Sequence, residues 1–186
     1  MDEVSAIQKM QDLEAAVRVR DDRTRPARID RIVWIADHEQ LPPVIMGRTE
    51  TLHMLNEARQ VFIDGHFASS LLTAFCVINH SLVEELQLRG KVQVDPGFGS
   101  VLKICEAQFV LSKEWIEDLK TLFARRNPFA HFKDSSHAHG LGARIRLEQA
   151  HPAKLLEDDA RTAIKYMYLV FRSTLREITS LSQNID

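Results

Sequence analysis

Residues 65–90, GHFASSLLTAFCVINHSLVEELQLRG, decide the fold of this chain. Leu71, Phe75, Ile78, Leu82 and Leu86 follow one another at steps of four, three, four and four. Those steps track the 3.6-residue turn, so the five side chains form one apolar stripe on a helix predicted over 66–89. Gly65 punctuates its start, and the turn-rich GKVQVDPGFGS at 90–100 ends it. Upstream, 49–63 carries Leu52, Leu55, Ala58 or Arg59, and Phe62 at steps of three or four, a second amphipathic helix. Downstream, a helix is predicted near 98–110. Another starts at Ser112, a good N-cap residue, and carries Trp115, Ile116, Leu119, Leu122 and Phe123. The stretch SSHAHGLGAR at 135–144 reads as a loop. The last helix, 153–182, shows Leu156, Ala160, Ile164, Met167, Phe171, Leu175, Ile178 and Leu181, a stripe most simply placed in the core. The expected fold is all-α, an antiparallel bundle of about five helices.

Residues 1–46 read as an N-terminal extension to a bundle at 47–186. Within it, 3–20 suggests a short amphipathic helix with Ile7, Met10, Leu13 and Val17. Pro26 disfavours helix at Arg25, so VRVRDDRTRPARIDR at 17–31 is expected to break it. RIVWIA at 31–36 is too short to assign to strand or helical turn, and EQLPPVIMG at 39–47 is a clear break. Arg18, Arg20, Arg23, Arg25, Arg28 and Arg31 crowd this extension, offset by Asp21, Asp22 and Asp30. They form a solvated linker or, less simply, a guide for RNA.

The composition narrows the class. Apolar residues make up 45% of the chain, enough for a real core, and the formal net charge is −2, so any anion site must come from local clustering. Cys76 and Cys105 are too few for a disulfide framework and fall in apolar helical stretches, where buried thiols are expected. The acidic start MDEVSAIQKMQDLE does not read as a secretory signal, and no apolar run is expected to reach the roughly 20 residues of a membrane helix. The expected home is the cytoplasm, with no membrane partner.

One stretch differs in kind. ARRNPFAHF at 124–132 gathers Arg125, Arg126, Asn127 and His131 at the end of a helical pattern. The spacing alone is uninformative, because Arg48–His53 and Arg146–His151 share it. Context carries more. Asn-Pro is a natural helix restart, with Asn127 as N-cap and Pro128 at the first helical position. A restarted helix would present free N–H groups and a positive dipole end to an anion. Arg126 and His131 would lie about 140° apart on an unbroken helix; a break can bring both to one cleft. From 112 to 154 there are eight Lys or Arg against five Asp or Glu, a local +3. His131, His137 and His139 could in principle hold zinc, but no carboxylate or thiol stands at a standard spacing, so no metal and no cofactor is expected. PGFGSVLK at 96–103 has glycines and a lysine but does not fit a phosphate-binding loop.

The ARRNPFAHF segment resembles the R-N-x-x-x-H signature of the HEPN superfamily, and the stretch at 65–90 and the helix pair leading into the signature are similar in pattern. The likeness covers about 49–182, with Pro128 a departure from the commoner residues at its position. It implies a helical bundle, often dimeric, with metal-independent ribonuclease activity. It places Arg126 and His131 in the catalytic positions and Asn127 in a supporting one.

Metal-free RNA cleavage needs a proton taken from the 2′-hydroxyl, a proton given to the leaving 5′-oxygen, and charge to offset the phosphorane. An imidazole, titrating near 6.5, suits the proton steps, and a guanidinium suits the charge. One histidine per chain falls short of an acid and a base, so a homodimer with a composite site is expected, leaving 2′,3′-cyclic phosphate and 5′-hydroxyl ends. Arg125 and Lys133 would bind flanking phosphates, and Glu84 or Glu85 would hold an arginine in place. The family's habits suggest a toxin or defence effector with a cognate inhibitor protein. The alternative is a non-catalytic helical module that binds nucleic acid, a nucleotide or a partner protein.

Overall fold

The computed structural model describes residues 3–41, 48–134 and 136–175, with side chains from residue 6 onward. Within them the chain is all-α. Seven helices run α1 (Glu3–Ala36), α2 (Thr49–Ile63), α3 (Phe67–Leu88), α4 (Phe98–Ala107), α5 (Lys113–Ala130), α6 (Leu141–Glu148) and α7 (Pro152–Thr174). The expected Ile178 and Leu181 of the last helix, and most of the EQLPPVIMG break, lie outside the described residues.

α3 is the central element, as its stripe predicts. Leu71, Phe75, Ile78, Leu82 and Leu86 are all at most 1% exposed, and α3 packs chiefly on α2 and α7. Three residues link α2 to α3, which turns the second helix back along the first. α2 contributes Leu55, Ala58 and Phe62; α7 contributes Ala160, Ala163, Ile164, Met167 and Phe171, with Leu155 rather than Leu156 on the buried side. Each Leu, Ile, Met or Phe side chain among them, removed from water, stabilises the fold by about 1.5–3 kcal/mol. By length and composition alone α3 could cross a membrane, which corrects the expectation that no run is long enough. In this fold its apolar stripe is covered by neighbouring helices.

α5 begins as its sequence suggests. Ser112 Oγ accepts the Trp115 N–H at 3.3 Å, and Ile116, Leu119 and Leu122 are buried. α7 begins at His151, whose Nδ1 accepts the Ala153 N–H, with Pro152 in the first turn. The predicted loop at 135–144 is overturned at its end: α6 starts at Leu141. Its anchor is polar. Arg144, 5% exposed, donates to both carboxylate oxygens of the fully buried Asp159, and Arg125 Nη1 donates to Asp159 Oδ1 at 2.9 Å. This one carboxylate ties α5, α6 and α7 together.

The N-terminal extension departs most from expectation. α1 is one helix of 34 residues and runs through Pro26; RIVWIA is its end, not a strand. Pro26 removes the N–H that would reach the Asp22 carbonyl. The helix is bridged across the gap by side chains instead. Arg25 pairs with Asp22 at 2.9 Å, and Arg28 Nη2 donates to the Asp21 carbonyl at 3.3 Å. Nor are 1–46 wholly separate from the bundle. Ile35 is fully buried, Arg31 Nε donates to the Ile63 carbonyl at 2.8 Å, and Trp34 lies against Phe62. Residues 6–23, by contrast, are all exposed. Pro26→Ala is therefore expected to raise helical circular dichroism and slow amide exchange across 20–30, since proline costs about 3 kcal/mol against alanine in a helix interior. The bundle's melting temperature should not move, because Pro26 is exposed.

Candidate functional site

Asn127 and Pro128 do not restart a helix. α5 continues to Ala130, and the His131 N–H still donates to the Asn127 carbonyl at 2.9 Å. The motif therefore sits at the C-terminal, negative end of the dipole, not at an anion-attracting N-terminus. Flanking turns hold Pro128: Leu122 and Phe123 anchor the preceding turn in the bundle, so the missing N–H falls where the helix is already fixed. The break comes at His131, whose φ of −140° and ψ of 138° are extended. Leaving the helical path there turns the imidazole from its helical direction and solves the angular problem. Arg126 and His131 line one cleft of about 290 Å³.

The cleft floor is aromatic. Phe75, Phe98 and Phe123 form a cluster with ring centroids 4.2–5.5 Å apart. The Arg126 guanidinium lies over this floor, 4.7 Å from the Phe75 centroid and 5.5 Å from that of Phe123. Such stacking orients a guanidinium plane and contributes about 0.5–2 kcal/mol. Arg126 Nη1 donates to Asn127 Oδ1 at 3.1 Å. The Asn127 side chain thus steadies Arg126 and does not cap a helix. Arg126 Nε is buried and has no hydrogen-bond partner among the described residues.

The opposite wall comes from α3 and the loop after it. His80 and Asn79 from α3 and Asp95 from the loop face the same cleft. Asn79 Nδ2 donates to Asp95 Oδ2 at 2.9 Å, while Asn79 Oδ1 is buried and unpaired among the described residues. Asp95 Oδ1 accepts the Gly97 N–H at 2.7 Å. Gly97 has a φ of +84°, a conformation that favours glycine, and this turn starts α4. His80 and Asp95 also line an adjoining depression of about 160 Å³ with Arg48 and Glu84, so the two form one groove. No sequence signal marked His80, Asn79 or Asp95, because a loop closure 16 residues long brings them together.

The remaining expected site residues are scattered. Arg125, next to Arg126, points to α7 and is engaged by Asp159. Lys133 is exposed beyond the helix end. Glu84 lies in the adjoining depression, where Thr51 Oγ1 donates to it at 3.1 Å and Arg48 approaches to 4.0 Å. Glu85 faces away, 7% exposed, and accepts from Arg89 Nε. His137 and His139 have ring centroids 5.9 Å apart, but no group of three or more His, Cys, Asp or Glu among the described residues is placed to share a metal.

The thiols also differ. Cys105 is fully buried, and burial pushes its pKa up to about 11, against a smaller lowering by Arg89. Cys76 is half-buried and lines the cleft, which corrects the expectation that both are buried. A thiol reagent at pH 8 should titrate one cysteine in the native protein and two in denaturant; prompt reaction of both in the native state would contradict this packing.

No family model, curated protein or solved structure matches this chain. The reading of its function rests on the residues of the groove.

Proposed function

We propose that the protein is a metal-independent endoribonuclease whose groove holds the scissile phosphate against Arg126. One observation carries this reading: Arg126, His131 and His80 line the same cleft. The Arg126 guanidinium lining the cleft offers its charge to the phosphorane oxygens. Two imidazoles then serve the two proton steps, one taking the 2′-hydroxyl proton and the other protonating the leaving 5′-oxygen. Both come from one chain, so the reaction does not require a site shared between two subunits. The aromatic floor and the Asn79 carboxamide offer contacts to a nucleotide flanking the cut.

The test is wild-type protein incubated with single-stranded RNA in EDTA, with the product ends analysed. Products carrying 2′,3′-cyclic phosphate and 5′-hydroxyl ends are expected. RNA that is bound and stays intact would favour the rival reading, a non-catalytic module. Two features favour that rival: the negative end of α5 points to the cleft, and Arg125 is spent on Asp159. Binding should accordingly be weak, with a shallow dependence on salt, since few cations face the groove.

A further inference from the structure

Residues 6–23 of α1 project from the bundle with every side chain exposed. On one side Ala6, Met10, Leu13 and Val17 recur at steps of four, three and four, the seam spacing of a coiled coil. Met10 is 69% exposed, Leu13 60% and Val17 57%, and Ile7 at 53% flanks the seam. A solitary helix of this length is marginal in water, so covering that stripe would stabilise it.

Charge says what covers it. Residues 2–14 carry four acids and one lysine, whereas 18–31 carry six arginines and three aspartates. The helix is acidic at its start and basic further on, complementary to itself reversed.

We propose that the occupant is the same segment of a second copy, running antiparallel. In the register that fills the seam, Met10 packs on Leu13 of the second copy and Val17 on its Ala6. The next seam position, Arg20, then falls at the level of Glu3 of the second copy. A parallel pairing would instead set Arg20 against Arg20 and acidic start against acidic start. Its one gain, Lys9 beside Glu14 across the flank, is worth only about 0.2–0.5 kcal/mol as an exposed pair. The seam is short, so the dimer is a weak and reversible one. The antiparallel crossing, centred between Gln11 and Asp12, carries the two bundles to opposite ends. Each groove keeps its own histidines, and the pairing stands whether or not the groove cleaves RNA.

Light scattering over a concentration series tests this on the full chain. The mass should rise from 21.3 kDa toward twice that value. Met10→Glu with Leu13→Glu should hold it at the monomer mass with the bundle's melting unchanged, because both side chains are exposed in a single copy. A wild type that stays monomeric at the highest attainable concentration overturns the proposal, as does a dimer that survives the double substitution. Orientation is read from a nitroxide at Arg23→Cys in a Cys76→Ser background. The antiparallel register separates the two labels by about 35 Å along the axis. A short separation, set by the roughly 8–10 Å between paired helix axes, would show a parallel pair and overturn the proposed arrangement.

Discussion

Replacing His131 with alanine should reduce RNA cleavage by about 10²–10⁴-fold and leave the melting temperature where it was. The geometry makes the two readouts separable. His131 is exposed at the end of α5, and its described contact is the backbone bond to Asn127, which alanine keeps. Truncation opens no cavity and strands no buried donor, so the stability change should stay within about 0.5 kcal/mol. His80→Ala should show the same pattern from the opposite wall, since its side chain is exposed as well. Loss in both variants would fit an acid and a base in one chain. Loss in His131→Ala alone would return the second imidazole to a partner subunit. Full activity in a folded His131→Ala variant would remove the histidine from the chemistry.

Asp159→Ala is expected to be the most damaging single substitution for the fold. The carboxylate is fully buried and accepts from Arg125 and twice from Arg144. Burial acts to lower the Arg144 pKa, but hydrogen bonds and charge from Asp159 and Glu148 outweigh it and the net shift is upward. Removing the carboxylate leaves the buried Arg144 guanidinium with only the half-exposed Glu148 as a partner, which costs about 3–5 kcal/mol. The melting temperature should fall by on the order of 10 °C for a chain of this size. Arg125→Ala should cost far less, because Arg125 is 34% exposed and Arg144 still pairs with Asp159. Asp159→Leu combined with Arg144→Met should recover much of the loss, since an apolar pair of similar volume escapes the desolvation. Equal melting of Asp159→Ala and wild type in thermal denaturation would show that the triad contributes nothing.

The bundle was legible because its signal is periodic burial. The stripe of α3 is buried residue for residue, α2 occupies the predicted 49–63, and Ser112 caps α5. α6 was missed because it is eight residues long and is held by Arg144, an anchor that no hydrophobic period reveals. Two prolines misled in the same way. Pro26 and Pro128 sit inside helices, whereas Pro152 stands in a first turn. Asn127-Pro128 carries the better cap residue of the two, yet it lies inside α5 behind the turn that Leu122 and Phe123 anchor, whereas His151-Pro152 opens α7. The candidate site was half legible. Arg126 and His131 do reach one cleft, by a helix end four residues later than predicted. Its second wall depends on the fold of the 89–97 loop, and Arg125 diverges from Arg126 by about 100° of helical turn.

The long first helix also bears on how this molecule travels in solution. Its 34 residues extend about 50 Å, and fewer than half of them are seated on the bundle. A sphere of 186 residues would have a radius of gyration near 16 Å; a body with such an arm exceeds that and drags accordingly. A sizing column calibrated on spheres will read this friction as added mass, so a lone chain will elute early enough to be mistaken for a pair.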